Sequence, residues 1–349
     1  MIPRLDLIFA VVGLALIFDV FNGFHDAANS IATVVTTRVL SPLQAVVWAA
    51  FFNFVAAFIF GTGVATTISE KLIDPKIVDV YVVMGGLIGG IVWDLITWLM
   101  ALPTSSSHAV ISGFAGAAIA KAGFHSLLLS GWVPVMIFLV LSPVVGLVLG
   151  YLIMVGVSWI GFRVERRRAE RSFRHLQLFS AGAYSLGHGT NDAQKTMGII
   201  AALLIAGGKQ SWAQGHYKLF GIKHEIAWWI VLSCHAAMAL GTLLGGWRIV
   251  KTIGSRITPH LKPMGGFSAE MAAATSIGLA TFAAVPISTT HAIAGGIAGV
   301  GTSHNWRAVR WVWGKRIVYA WIFTFPGAAL VGAASYLCVH LLLEPLVTG

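Results

Sequence analysis

Charged side chains are scarce in this chain of 349 residues, of which only 10% are charged and 57% are hydrophobic. Soluble domains carry about 25% charged residues, so this scarcity excludes an ordinary soluble domain. The shorter apolar runs, at 109–120 and 271–285, suit half-helices or re-entrant pieces. Runs near the roughly 20 residues that a bilayer-crossing helix needs recur at 5–24, 43–64, 79–102, 132–160, 177–206, 226–247 and 317–343. The sequence therefore predicts an all-α polytopic membrane protein.

Cysteine is also scarce, with Cys234 and Cys338 as the two thiols of the chain. Two distant cysteines form neither a disulfide framework nor the spacing of a zinc site. Both lie in apolar stretches, so we predict that they are small packing residues. The sequence predicts no cofactor.

Acidic residues are outnumbered by Lys and Arg, 13 to 23, which gives a formal net charge of +10. Such a charge invites a nucleic-acid partner, but no groove-reading module accompanies it, and we predict none. Six of the basic residues fall at 163–175, between two apolar runs. A basic loop between spans is typical of the cytoplasmic side of a membrane and suits contact with anionic lipid. We therefore predict a basic cytoplasmic connector at 163–175 and the lipid bilayer as a partner.

Two polar motifs interrupt the apolar chain, and each occurs twice. An Asp-centred motif occupies 22–30 and 187–196. A motif of proline, hydroxyl residues and histidine occupies 103–108 and 286–291. Paired polar breaks in the two halves of an apolar chain point to the binding site of a transporter.

The spacing of these motifs indicates an internal repeat. The separation of Asp26 from Asp192 along the chain is slightly shorter than that of His108 from His291. The polar stretch at 207–225, which we interpret as a surface loop, accounts for the difference. Repeats of this kind are either parallel or inverted in the membrane. The chain therefore divides into two transmembrane halves, at 1–162 and 176–349.

The Asp motifs place carboxylates where they are costly. An Asp at the centre of a membrane helix costs about 2.5–3.5 kcal/mol on insertion scales. Asp26 and Asp192 either make a polar contact between helices, cap a helix, or hold a coupling cation or a proton. Oxygen ligands suit hard cations, so both would be metal ligands if the cation is sodium. The preceding residues, His25 and Asn191, belong to the same candidate site.

The hydroxyl motifs suit an anion. Pro103 and Pro286 break the preceding helix, because proline removes a backbone donor. The hydroxyl residues that follow are Ser105, Ser106, Ser107, Ser288, Thr289 and Thr290. Either they are plain N-caps, or their hydroxyls and the free N–H groups of a helix start cradle an anion. We favour the anion site, because the pattern occurs twice and ends each time in a histidine, His108 or His291. Lys195 could neutralise a carboxylate or attract the anion.

These segments resemble the PiT family of inorganic phosphate transporters. The similar segments are 23–33, 102–108, 185–198 and 285–291, so they span both halves. The resemblance implies a secondary carrier of two inverted-topology repeats, each with a broken helix and a re-entrant helical hairpin, and commonly a homodimer. By position, it implies that Asn29 and Thr196 lie beside the phosphate and the ion. Many members have Asn where this chain has His25, which resembles the bacterial, proton-coupled branch.

We therefore predict a secondary active transporter, not an enzyme, that imports inorganic phosphate by cation symport through alternating access in the cell inner membrane. A proton is the favoured cation. A sodium-coupled symporter, a sulfate permease of the same architecture and carriage of phosphate as a divalent-metal complex stay open. An intramembrane hydrolase is the remote alternative, because catalysis needs one site and each motif occurs twice. Ser107 and His108 also point about 100° apart on a helix.

Overall fold

Helices account for most of the chain in the computed structural model, which describes residues 5–219 and 222–348 and the side chains as far as Leu343. The helices of the first half are α1 (Leu5–Thr36), α2 (Pro42–Val55), α3 (Gly63–Lys71), α4 (Val80–Leu99), α5 (Ser106–Ala122) and α6 (Leu129–Gly161). The second half begins with α7 (Arg166–Ala206) and α8 (Gln210–Ala213), followed by β1 (Gln214–Leu219) and β2 (Ile222–Ile226). It continues with α9 (Trp228–Leu244), α10 (Trp247–Lys251), α11 (Pro263–Phe282), α12 (Thr289–His304) and α13 (Trp311–Thr348). The all-α prediction is confirmed, apart from one antiparallel β-hairpin.

Several helices have the length and composition of membrane spans. Among the described residues, four helices qualify by themselves: α1, α4, α6 and α13. Two bent pairs each qualify as one span, α2 with α3 at 77° and α9 with the α10 segment at 63°. Helix α7 does not meet the same criterion, because the polar motif around Asp192 lies along it. The span expected at 177–206 is therefore present as a helix, but as a polar one.

Each half contains a broken helix, as the resemblance implies, and the break lies away from the Asp motif. Helices α1 and α7 run unbroken through Asp26 and Asp192, because the polar side chains there find partners without disturbing the backbone. The breaks lie between α2 and α3, near Gly61, and between α9 and α10, at Gly245 and Gly246. Gly245 has a φ of 70°, a left-handed conformation that glycine adopts without steric cost.

Two segments expected as loops are ordered. The connector at 163–175 is helical from Arg166 and forms the first turns of α7. Arg, Ala and Glu are strong helix formers, so the basic run extends the helix instead of interrupting it. The insertion expected as a loop at 207–225 contains α8 and most of the β-hairpin. Its strand β1 alternates exposed and half-buried residues, and Tyr217 stacks on His224 of β2 with ring centroids 4.8 Å apart.

Both halves follow the same order of elements: a long helix with an Asp motif, a bent pair, a helical hairpin and a long final helix. The hairpins are α4 with α5 and α11 with α12. Their second helices begin alike, because Ser105 accepts the backbone N–H of His108 at 3.3 Å and Ser288 that of His291 at 3.2 Å. The inverted orientation of the halves stays a prediction.

Each hairpin tip contains one alanine in the left-handed backbone region, Ala101 with a φ of 55° and Ala284 with a φ of 56°. A non-glycine residue there is strained and persists only where its surroundings hold it. The carbonyl of Ala284 accepts the hydroxyl of Thr67 on α3 at 2.9 Å, and that of Ala101 accepts the hydroxyl of Thr252, just after α10, at 3.0 Å. The short segment after each bend thus holds the hairpin tip of the opposite half.

The last helix of each half also packs against the hairpin of the other half, α6 on α11 and α12 and α13 on α4 and α5. Small residues let these backbones approach closely, as is common between membrane helices. A Cβ on Gly116 would lie 2.0 Å from the carbonyl oxygen of Ala329, and a Cβ on Gly299 would lie 2.0 Å from that of Leu147. Gly116 and Gly299 have the same separation along the chain as the two hydroxyl motifs, so they occupy equivalent positions in the two halves.

Candidate functional site

The tips of the two hairpins meet beside the Asp motifs of α1 and α7. The imidazole rings of His108 on α5 and His291 on α12 lie 4.9 Å apart between centroids. All fifteen candidate residues named above, from His25 to His291, are buried, and none exposes more than 2% of its surface. The site is closed to solvent, so a ligand enters or leaves only after the surrounding elements move.

The carboxylate of Asp26 lies between an imidazole and a hydroxyl. Nδ1 of His25 is 2.7 Å from Oδ1 of Asp26, and the hydroxyl of Ser106 donates to the same oxygen at 3.2 Å. Nε2 of His25 is 3.2 Å from the hydroxyl oxygen of Thr97 on α4, which also accepts the hydroxyl of Thr104. Oδ2 of Asp26 has no hydrogen-bond partner among the described residues. One carboxylate oxygen thus stays available to a proton or another cation.

Asp192 has more partners than Asp26. The ammonium group of Lys195 donates to Oδ1 of Asp192 and, at 2.6 Å, to the hydroxyl of Ser107. The hydroxyl of Thr289 donates to Oδ2 at 3.1 Å, and Nδ1 of His188 lies 3.1 Å from the same oxygen. Asp192 therefore has a lysine as its cationic partner, whereas, within the described part of the chain, the one side chain beside Asp26 that can carry a positive charge is the imidazole of His25.

The hydroxyl contacts of the two halves correspond to one another. The second hydroxyl of each run bonds the Asp of its own half, and the third crosses to the opposite half. The equivalent pairs are Ser106–Asp26 with Thr289–Asp192, and Ser107–Lys195 with Thr290–Asn29. Asn29 and Lys195 have the same separation along the chain as the two aspartates, so they are equivalent positions of the repeat. The structure thus brings these eight predicted residues together as one site.

Four predicted residues shape the hairpin tips. Ser105 and Ser288 are N-caps whose hydroxyls are occupied by backbone N–H groups, so the N-cap interpretation applies to the first hydroxyl of each run. The rings of His108 and His291 pack against aromatic side chains of α13, at centroid distances of 4.9 and 3.7 Å. The two N-caps and the two histidines therefore flank, and position, the second and third hydroxyls of each run.

The last two predicted residues lie at the edge of this cluster. Asn191 holds the second tip: its Oδ1 accepts the N–H of Ile287 at 3.2 Å, and its Nδ2 donates to Thr281 at 3.1 Å. Thr196 donates to Asp19 at 2.5 Å and does not contact either hydroxyl run. Asn191 therefore differs in role from His25, its counterpart by sequence, which contacts a carboxylate.

Sequence reasoning missed several buried ionisable residues. Asp19 on α1, Asp94 on α4 and Glu270 on α11 are each at most 1% exposed. Glu270 accepts the amide of Gln177 at 3.0 Å, some distance along α7 from the motif. A signal was present, because an ionisable residue inside an apolar span is a candidate functional residue by default and Asp94 falls inside the predicted span 79–102.

The site combines donors for an anion with oxygens for a cation. Four hydroxyls, an amide and an ammonium group suit an oxyanion, and two carboxylates suit a proton or a hard cation. Among residues 5–219 and 222–348, no three His, Cys, Asp or Glu side chains are grouped as a metal ion would need. Bundled apolar helices with a buried polar site at the meeting point of two half-helices are the architecture of a secondary membrane transporter.

The chain belongs to the phosphate transporter family, whose sequence model matches residues 22–332. A relative in Rhizobium meliloti (strain 1021), named probable low-affinity inorganic phosphate transporter, is 48% identical over 96% of this chain and 97% of its own. A relative of the same name in Bacillus subtilis (strain 168) is 41% identical over 95% of this chain and 97% of its own. These matches confirm a phosphate transporter of the membrane and not an enzyme.

A solved structure also matches this fold. The protein described as the sodium-dependent phosphate transporter superposes with a TM-score of 0.85, over 97% of this chain and 100% of its own. Its sequence identity with this chain is 23%, so the match establishes the polytopic helical fold.

Proposed function

We propose that this phosphate transporter imports inorganic phosphate together with a cation by alternating access, and that the cation is a proton. The observation that carries the proposal is the meeting of the hairpin tips, where hydroxyls of both halves lie against Asp26 and Asp192. An anion and a cation both find suitable groups within one buried site.

Phosphate is held by the hydroxyls of Ser106, Ser107, Thr289 and Thr290, the amide of Asn29 and the ammonium group of Lys195. A hydroxyl turns about a single bond, so one that donates to a carboxylate can turn toward a phosphate oxygen. The N-terminal ends of α5, with 17 residues, and α12, with 16, add the partial positive charge of a helix start. The cradle therefore needs little fixed charge.

The cation binds on the side of Asp26, where Oδ2 has no partner among the described residues. An unpaired ion is far costlier in a low dielectric than a neutralised set, so phosphate and cation each bind poorly alone. This mutual dependence is the thermodynamic basis of symport. The contact of His25 with Asp26 supports a proton, since the imidazole is the side chain that ordinarily titrates near neutral pH.

Transport requires the closed site to open to one side at a time. The segments that hold the tips, through Thr67 to Ala284 and through Thr252 to Ala101, are the contacts that such an opening breaks. We propose that release of one tip opens the site to one side and release of the other tip opens it to the opposite side.

The test is uptake of labelled phosphate into proteoliposomes, driven either by a pH gradient or by a sodium gradient. We expect the pH gradient to drive uptake and the variants Asp26→Asn and Asp192→Asn to abolish it. Asp79→Asn is a matched control, because this carboxylate caps α4 outside the site and pairs with Lys121. Uptake driven by sodium alone would overturn the proton assignment. Full uptake in both site variants would overturn the site.

Sulfate is the competing cargo, because it is also a tetrahedral oxyanion and hydroxyls discriminate the two poorly. Phosphate near neutral pH keeps a proton that a carboxylate can accept, and sulfate does not. Two aspartates beside the hydroxyls therefore favour phosphate. Excess unlabelled sulfate should leave labelled phosphate uptake unchanged, and strong competition would favour a general oxyanion permease.

The remaining expectations concern the surroundings. We propose a multi-pass protein of the cell inner membrane, a homodimer, with the Arg-rich start of α7 cytoplasmic. A cysteine at Arg171, in a Cys338→Ser background, should react with an impermeant thiol reagent only from the cytoplasmic side. Cross-linking in membranes tests the dimer. Uptake that persists in excess EDTA indicates free phosphate, and uptake lost with EDTA indicates a divalent-metal complex.

A further inference from the structure

We propose that Asp94 carries the proton that drives phosphate uptake, binding it beside His25 and Asp26 and releasing it on the other side of the membrane. The inference deepens the function proposed above and rests on its proton symport. The step that couples the proton gradient to phosphate transport is thereby assigned to one residue, which lies outside both sequence motifs.

Asp94 lies in α4, an apolar helix of 20 residues in which it is the one charged residue. It is 1% exposed, and neither of its carboxylate oxygens makes a hydrogen bond of normal geometry with the described residues. A charged carboxylate in such a place is costly, because no hydrogen bond of normal geometry replaces those to the water that it loses. A bound proton removes the charge and, with it, the cost.

The position of Asp94 connects it to the cation side of the site. The hydroxyl of Thr97, one turn further along α4, donates to the backbone carbonyl of Asp94 and lies 3.2 Å from Nε2 of His25. Asp94 interacts electrostatically with His25 and Asp26, and Ser106 at the first hairpin tip faces both carboxylates. Asp94, His25 and Asp26 therefore form one titratable cluster.

Among the described residues, no lysine or arginine forms an ion pair with Asp94 or Asp26, although the charge of Lys195 also acts on Asp26. The charged groups that act most strongly on Asp94 come from α1 and α7 and are His25, Asp26 and Asp192. Of those on α5, α10 and α13, His108, Lys121, Arg248 and His340 contact other partners. Lys251, Lys315 and Arg316 are exposed. Lys195 is bonded to Asp192. Asp94 and Asp26 thus share the imidazole of His25, and a bound proton is the cation that neutralises the remaining negative charge.

The step is a reversible protonation that makes and breaks only O–H and N–H bonds. With the site open to one side, the Asp94 carboxylate takes H⁺ from water by way of His25 and becomes a neutral acid while phosphate binds to the hydroxyls. After the site has opened to the other side and phosphate has left, the acid returns H⁺ to water there. The negative charge that returns to Asp94 then disfavours rebinding of the anion.

The test compares Asp94→Asn with Asp94→Glu in proteoliposomes, using two assays. A gradient of one pH unit, at clamped membrane potential, supports about tenfold accumulation of phosphate for each proton carried. We expect Asp94→Asn to accumulate none, yet to exchange internal for external phosphate at equal pH, because exchange needs no net release of a proton. Asp94→Glu should recover accumulation, and the outside control Asp79→Asn should behave as wild type in both assays.

Two results would overturn the assignment. One is unchanged accumulation by Asp94→Asn while the wild type responds to the pH gradient; this leaves the proposed proton symport intact. The other is loss of both exchange and accumulation in Asp94→Asn with neither recovered in Asp94→Glu, which assigns Asp94 to binding or folding. If the wild type itself ignores a pH gradient, the proton symport fails first, and the assignment fails with it.

Discussion

Lys195 stands in the second half of the chain where Asn29 stands in the first, and each donates to the third hydroxyl of the opposite hairpin. The distances are 2.6 Å from Lys195 to Ser107 and 2.8 Å from Asn29 to Thr290. Because the surrounding contacts repeat, this replacement of an amide by an ammonium group makes two equivalent halves electrostatically unequal. Asp192 is already neutralised by Lys195, which leaves the side of the site around Asp26 for the coupling cation.

Removal of the lysine should destabilise the protein strongly. In Lys195→Met, Asp192 stays buried without its ammonium partner. Breaking a buried ion pair by removing one partner costs about 3–5 kcal/mol. We expect a large drop in the thermal unfolding temperature in detergent and no phosphate uptake. The double variant Asp192→Asn with Lys195→Met should recover much of the stability but not the uptake.

The control for this loss is Lys121→Met. Lys121 pairs with Asp79 at 2.6 Å, but its side chain is 27% exposed and that of its partner 34%. Exposed pairs contribute about 0–1 kcal/mol, so this variant should unfold close to the wild type. Equal unfolding temperatures for the two lysine variants would show that Lys195 is not needed to neutralise a buried charge.

Neighbouring serines should separate capping from binding. Ser105→Ala removes an N-cap and should cost about 1 kcal/mol of stability, with an unchanged KM for phosphate. Ser106→Ala leaves the cap intact but removes the hydroxyl next to Asp26, so KM should rise while the unfolding temperature changes little. Measurements of KM and thermal unfolding on both variants check this. A raised KM in both would place the cap hydroxyl in the binding site as well.

The hydroxyls of Thr67 and Thr252 should keep the site closed. Thr252→Val removes the hydrogen bond to the carbonyl of Ala101, which has a strained backbone. A hydrogen bond contributes about 1 kcal/mol, so amide hydrogen exchange at the first tip should rise about fivefold. Thr67→Val should act in the same way on the second tip. Thr275→Val is the control, since this exposed hydroxyl bonds only its own helix.

The glycines at which α13 packs on α5 and α6 packs on α12 should not tolerate a side chain. Gly116→Ala and Gly299→Ala each place a Cβ 2.0 Å from a carbonyl oxygen. The helices must then separate, and overpacking of this kind costs about 1–3 kcal/mol. Gly278→Ala, also in a helix but with nothing within 4 Å, should be neutral or stabilising. Unfolding temperatures of the three variants decide the matter.

The sequence predicted the composition of this site better than its geometry. Duplicated motifs were sufficient to identify Ser106, Thr289 and both aspartates as neighbours, because a repeat places equivalent residues in equivalent surroundings. The continuation of α1 through Asp26 could not be predicted from the apolar run at 5–24, because the partners that His25 and Asp26 find there include Thr97 on α4 and Ser106 on α5. Asp94 was missed for a related reason: one acidic residue in an apolar run has no motif around it.

The packing of the final helix of each half on the hairpin of the other half has a consequence for biogenesis. The hairpin of α4 and α5 is synthesised and inserted early, but its cover, α13, begins only at Trp311. Until that helix arrives, the glycine face of α5 is exposed to lipid or to chaperones. The N-terminal half therefore cannot reach its final packing alone, and the hairpin of α4 and α5 is covered only after α13 leaves the ribosome.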